Sequence, residues 1–185
     1  MWKSPGGSNT AYGILFFEAS HMESIDVIIE TPKGSCLKYD YDPASRFFEL
    51  RKILPSGMVF PYDFGFIPGT KGEDGDPVDI IIVSEFETFP GCKMKCRLIG
   101  GIKAEQSEKK GSTNLIRNDR FIAIPDYPSI LDNITSVNDL PDNIMTQLES
   151  FFITYNKLEG KEFKILKKLG KKEAYDLIME ARTGR

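Results

Sequence analysis

The sequence predicts an α+β chain that is mainly β, its short strands curled into a small barrel with helices following them. Three observations carry this. β-branched and aromatic runs dominate residues 24–125 and are broken repeatedly by Gly and Pro. Helical apolar spacing appears only after residue 138. No repeat or linker separates the two regions, which points to one unit of strands followed by helices.

The elements follow in chain order. Ser24 to Thr31, "SIDVIIET", is apolar and β-branched, and Pro32-Lys33-Gly34 closes it as a turn. "CLKYDYD" alternates, so Lys38 and Asp40 share one face while Leu37, Tyr39 and Tyr41 share the other. "RFFELRKIL" is a third strand, stopped by Pro55-Ser56-Gly57. "MVFPYDFGFIPGT" carries two prolines and two glycines, which predicts an irregular aromatic ribbon and not a central strand. "VDIIIV" is continuous enough to be buried on both faces. "GCKMKCRLIGGIKAE" is a strand with a bend at Gly100-Gly101. The polar stretch after it, to Asp119, reads as an exposed loop, and "RFIAIP" reads as the last strand. Ile144, Leu148, Phe151, Phe152 and Tyr155 then mark a helix over about 139–157, capped by Asn138 or Asp139 with Pro141 near its first turn. Ala174, Leu177, Ile178 and Ala181 mark a second over about 171–182.

Composition excludes several functions. The 185 residues are 41% hydrophobic, enough for a real core, and the net charge of −3 offers no basic surplus for nucleic acid. No apolar run reaches the roughly 18 residues that span a membrane. Cys36, Cys92 and Cys96 form no paired pattern and the single histidine is His21, so a zinc site is not expected. Free thiols suit a reducing, cytoplasmic setting. Near the N-terminus, Glu18 interrupts the only short apolar run, and "SHMES" resembles a cloning scar ahead of a natural start at Met22. Residues 1–21 are therefore expected to be a tag or N-terminal extension, and 22–185 one domain.

The chemistry concentrates at "GEDGDPVDIIIV", Gly72 to Val83, where four acids precede the most apolar run in the chain. Carboxylates this close raise one another's pKa, and a bound cation removes that penalty. All-oxygen ligands favour magnesium or manganese. Pro77 extends Asp76, so Asp74 and Asp76 can share a face, while Asp79 needs a bend to join them. An EF-hand reading fails, because Asp79 falls where that loop needs Gly and a strand replaces its second helix. Two readings stay open from chemistry alone. One is a solvated acidic turn. The other is a metal site for a phosphate substrate, with Lys38, Arg51, Lys52 and Arg120 as candidate phosphate-binding cations.

"DGDPVDI" resembles the signature of the family I soluble inorganic pyrophosphatases. "VIIETP", "LKYDYD", "MVFPYDFGFIPGT", "NDRFIAIP", "SVNDLP" and "FFITYNK" occur in that family's order, over residues 24–160. The resemblance implies a five-stranded OB-like barrel with flanking helices, and hydrolysis of inorganic diphosphate to two phosphates by two or more Mg2+ ions, with Mn2+ as an alternative. It implies Asp74 and Asp79 as metal ligands, Asp79 shared between two ions, and Asp76 as general base. Glu30 resembles an acid that orders metal-bound waters. Lys38 and Tyr155 resemble phosphate-binding groups, with Asp40 balancing charge beside Lys38. It also implies a homo-oligomer, a hexamer in the short bacterial-type members.

The chain departs from that pattern. Asp40 replaces Glu, Lys52 replaces Arg with Arg51 adjacent, and Phe60 and Phe64 replace Tyr. Asn118 stands where a metal-binding Asp is usual, with Asp119 next to it as the expected ligand. Arg120 replaces Lys and Asn156 replaces Lys. The usual acidic pair of the 103–111 loop falls near Gln106-Ser107. These changes predict a divergent branch. They also support an alternative, a catalytically weakened diphosphate- or nucleotide-binding module of the same fold.

Overall fold

The structure, a computed structural model, describes residues 24–182; the expected tag, residues 1–21, lies outside the described residues. Among the described residues nine strands lie in chain order: β1 (Ser24–Thr31), β2 (Leu37–Asp42), β3 (Phe47–Ile53), β4 (Asp63–Phe66), β5 (Asp79–Ile82), β6 (Lys93–Ser107), β7 (Leu115–Arg117), β8 (Arg120–Pro125) and β9 (Phe163–Gly170). Two α-helices, α1 (Asp142–Leu158) and α2 (Lys171–Glu180), flank β9 in sequence. The chain is mainly β with few helices.

β2 and β3 form a separate hairpin, while the other seven strands make one sheet, six of them in the order β1-β4-β5-β8-β6-β7 and the seventh, β9, paired to β6 off that path. β6 also pairs with β1, so the pairing order β1-β4-β5-β8-β6 returns to its start. All pairings are antiparallel except β5 with β8. β5 behaves as its composition predicts. Ile81 and Val83 enter a core with Phe60, Phe64, Phe151 and Phe152, while Ile80 and Ile82 enter a second with Val27, Leu98 and Ile178. The strand thus has both faces buried, and the loop before it is anchored at one end.

Four expectations are corrected. Asp63–Phe66 is not an irregular ribbon but a buried strand between β1 and β5. Pro61 and Pro68 fall outside those four residues, so no ladder N–H is missing. Gly65 is what lets it in: a Cβ there would lie 2.1 Å from the Ile28 carbonyl oxygen. The polar stretch after β6 is not all loop, because β7 folds back on the end of β6. β8 is not the last strand. β9 pairs with β6 from Gly100 to Gln106, and its three lysines hid it from an apolar pattern. The first helix starts later than predicted. Ser136 caps a short 3-10 turn, Val137–Asp139, and α1 begins at Asp142 after Pro141. The bend expected at Gly100-Gly101 coincides with a register shift between Leu98 and Gly100. Among the described residues no helix is long and apolar enough to cross a membrane.

Candidate active site

The loop before β5 is closed on itself. Gly72 N donates to Asp76 O at 2.7 Å, and Asp76 N donates to the Asp74 carboxylate at 3.2 Å. Gly75 takes φ +92°, where a side chain would be strained. The turn leaves Asp74 and Asp76 exposed and Asp79 half-buried at the start of β5.

Charges from four strands, β1, β2, β3 and β8, converge on this loop. Burial pushes the Asp76 carboxyl above its ordinary range, and Asp74 and Asp40 add to the push while Lys38 and Arg51 oppose it. Burial likewise raises Asp79, opposed by Arg120 and Lys38 and reinforced by Asp74 and Asp76. Glu30, on β1, is pushed up to about 7, first by burial. Tyr41 N donates to it at 2.8 Å and Lys38 also favours its charge, but Asp79 and Asp40 work against it. The sequence-predicted residues Glu30, Lys38, Asp40, Arg51, Asp74, Asp76, Asp79 and Arg120 thus share one electrostatic neighbourhood.

The β2–β3 hairpin supplies the basic side. Lys38 Nζ pairs with Asp40, and Arg51 Nε stands 3.6 Å from the same carboxylate. Lys38 lies opposite Lys52, and a register shift at the next residue leaves Arg51 unpaired in the ladder. Arg51 therefore faces Asp40 while Lys52 turns to Glu159, 2.6 Å away, and lies 5.5 Å over the Tyr155 ring. Burial disfavours the Lys52 charge, yet Glu159 and Tyr155 outweigh it and raise its pKa.

The 117–120 segment is arranged differently from expectation. Arg117 Nη2 and Nε bond Asp119 at 2.6 and 2.8 Å, and Ala104 N donates to its other oxygen at 3.1 Å. Both Asp119 oxygens are thus already engaged, and its side chain is only 7% exposed. Arg120 is buried, ion-paired to Asp79 and bonded to Asn118 Oδ1. A cleft of about 270 Å3, lined by Glu73, Asp79, Arg117, Asn118 and Asp119 among others, lies against α2. A larger open hollow, about 470 Å3, lies elsewhere, among Asp26, Lys95 and Arg182, and holds none of the predicted site residues.

A family model described as inorganic pyrophosphatase matches residues 27–184. The chain belongs to the inorganic pyrophosphatase family. It is 34% identical to an inorganic pyrophosphatase of Thermus thermophilus over 87% of this chain and 88% of that one. It is 32% identical to one of Methanosarcina acetivorans over 85% of this chain and 89% of that one. The crystal structure of the Thermus thermophilus inorganic pyrophosphatase superposes with a TM-score of 0.79 at 29% identity, covering 96% of this chain and 94% of that one. A Helicobacter pylori inorganic pyrophosphatase gives 0.79 at 28%, over 86% and 92%.

Membership sharpens the departures. Phe60 and Phe64 lie in an aromatic cluster with Phe151 and Phe152, ring centroids 5.0 to 6.2 Å apart. Asn156 is buried and donates to Phe152 O at 2.9 Å, back into its own helix. Tyr155 stacks on Phe151 at 5.8 Å, with ring planes 4° apart. Sequence reading missed Glu159 as the partner of Lys52 and Gln106 as a partner of Arg120. No local pattern could signal the first, since 107 residues separate the pair. The Arg117-x-Asp119 spacing was a signal for the engagement of Asp119, since residues two apart along extended chain share a side.

For a hard divalent cation the donors fit on one side. Asp74, Asp76 and Asp79 offer oxygen ligands whose mutual repulsion a cation would relieve. They do not fit on the other, where Asn118 and Gln106 are neutral amides and Arg120 already stands beside Asp79. Among the described residues no three acids, histidines or cysteines are grouped closely enough to hold an ion unaided.

Proposed function

We propose that this chain hydrolyses inorganic diphosphate to two phosphates. The carrying observation is that Asp76 lies within electrostatic reach of two acids, Asp74 and Asp40, and of two bases, Lys38 and Arg51. A diphosphate is a polyanion and needs cations on the oxygens of both phosphoryl groups. Lys38 and Arg51 would bind one end as point charge and fork. Lys52, held by Glu159 beside Tyr155, would serve the other. Asp76 would take the proton from the attacking water. Its raised pKa makes it a better base than an isolated aspartate, provided it is ionised when water attacks. The P–O–P bridge then breaks and the second phosphate leaves with its electron pair. Glu30, fixed by Tyr41 N, would orient water at the same site.

Divalent ions, Mg2+ first and Mn2+ as alternative, would be held by Asp74 and Asp79. Bound there they would neutralise charge on the diphosphate and acidify the attacking water. Asp119 as ligand would require Arg117 to release it. The returning pairing order supports a five-stranded OB-like barrel of β1, β4, β5, β8 and β6 within a single domain, 22–185. The free cysteines Cys36, Cys92 and Cys96 support a cytoplasmic setting.

The test is phosphate release from diphosphate with Mg2+. Turnover is expected, and Asp76→Asn is expected to lower kcat by at least ~100-fold, the scale of a lost general base. No turnover above background by a folded, metal-loaded chain overturns the proposal.

A further inference from the structure

Lys38 and Lys52 stand opposite each other across the β2–β3 ladder, and like charges so placed repel. Each is held by a carboxylate. Lys38 pairs with Asp40 on its own strand. Lys52 Nζ instead donates to Glu159 Oε2 at 2.6 Å, across 107 residues of chain. The same ammonium lies 5.5 Å from the centroid of the Tyr155 ring. Asn156, where the family resemblance implies another phosphate-binding lysine, is a neutral amide bonded back to Phe152 O. At this end of the site, more of the charge that a phosphate needs therefore falls to Lys52.

Glu159 stands where helix electrostatics disfavour a carboxylate. It caps the C-terminus of α1, its N–H directed at Lys157 O and Tyr155 O. The helix dipole is negative there, so the acid gains nothing from the helix and depends on a cation such as Lys52. The side chains of Lys52 and Glu159 are 33% and 29% exposed. Water reaches both, and an ion pair open to solvent to this extent is weak enough for a phosphate to contest.

We propose that Glu159 sets the phosphate affinity of the site by competing for the ammonium of Lys52, so that product phosphate is held weakly. An arriving phosphate must share Lys52 with a carboxylate of its own sign or displace it. Sharing places two anions side by side. Displacement leaves the Glu159 carboxylate at the negative end of α1 without its partner. Either course makes the anion bind less tightly than it would to an uncontested lysine. This rests on the reading that Lys52 takes a phosphoryl group, and it concerns how tightly that group is held, not whether the P–O–P bond is broken.

The experiment titrates inorganic phosphate into the Mg2+-loaded chain by calorimetry. Lys52→Met should weaken one phosphate, which marks the binding event to be read. Glu159→Gln keeps the shape and removes the charge, and it should tighten that phosphate by about five-fold, the scale of one lost solvent-exposed ion pair. Glu159→Asp keeps the charge and should not tighten it. In the Lys52→Met background the gain from Glu159→Gln should vanish, because the effect passes through Lys52. A purely structural tie between β3 and α1 would lower the melting temperature of Glu159→Gln without tightening phosphate. If Glu159→Gln does not fold, Glu159→Ala removes the same charge and carries the same expectation. The proposal is overturned if phosphate affinity is unchanged or lower without the Glu159 charge, if Glu159→Asp tightens it as much, or if the gain survives in Lys52→Met. A wild-type chain that binds no phosphate, with the charge-removing variant binding none either, overturns it too. The diphosphate assay separately judges the hydrolytic reading.

Discussion

Glu30 shows how one residue couples the site to stability. Its carboxyl is pushed from 4.5 up to about 7, mainly by burial, although Tyr41 N and Lys38 favour the charged form. A group whose pKa is raised by folding contributes stability below its unfolded pKa and loses that contribution as pH rises through the folded one. The metal-free protein should therefore lose stability between about pH 4.5 and 7, by on the order of 3 kcal/mol from this residue. Glu30→Gln should flatten that part of the profile in urea melts taken with chelator, and an unchanged slope would show that Glu30 is not its source. Asp76 and Asp79 bend the profile in the same direction, since both are raised. The variant is what isolates Glu30. At this scale the motif Asp74, Asp76, Asp79 was legible in sequence, because like charges crowded before an apolar strand need a reason. The engagement of Asp119 was legible only in part: the Arg117-x-Asp119 spacing signals one partner, whereas Ala104 meets it only once β6 and the 117–119 segment lie side by side.

Elements place these residues, and two of them do so against their local composition. β4 looks unlike a strand, with prolines on both sides and a glycine within, yet it is buried between β1 and β5. The glycine is the condition of that packing, since the Ile28 carbonyl occupies the space of a side chain. Gly65→Ala should cost about 3 kcal/mol or more, through forced separation of β1 and β4. Gly170→Ala, with nothing within 4 Å of the added atom, should cost about 1 kcal/mol or less. Thermal melts of the two variants test the contrast, and equal losses would refute it. β9 was equally hidden. Only Phe163 and Leu169 of it are fully buried hydrophobics, and its lysines give it the look of a surface loop. α1, by contrast, was legible in its interior because apolar residues at helical spacing must face a core. Its start was not, because the Ser136 cap belongs to a separate 3-10 turn.

The whole molecule sets a charged face made by the acidic loop, β1 and the β2–β3 hairpin against an aromatic core beneath Arg120. Exposed apolar side chains lie on several elements, among them Phe47 at 71%, Ile53 at 67%, Phe89 at 63% and Ile130 at 79%. Apolar groups scattered singly are ordinary on a protein surface, so the expectation of a homo-oligomer rests on the family resemblance, and we propose a hexamer. Sedimentation equilibrium at micromolar concentration should give a mass several times 20.9 kDa. A monomer across the concentration range would refute it.

By itself the sequence determined the mainly β character, the two C-terminal helices, the family and the acidic trio that marks the site. Each of these rests on residues close together in the chain, where spacing, turn chemistry and charge repulsion act locally. The tertiary structure alone decided which carboxylates stand free and which are engaged. Asp79 meets Arg120, Asp119 meets Arg117, and Lys52 meets Glu159. Two of these pairs bridge 41 and 107 residues of chain, and even the nearest depends on how β6 and the 117–119 segment pack. A salt bridge is chosen by distance in space and by what burial forbids to remain unpaired. Neither can be read along a sequence until strands remote in it are paired.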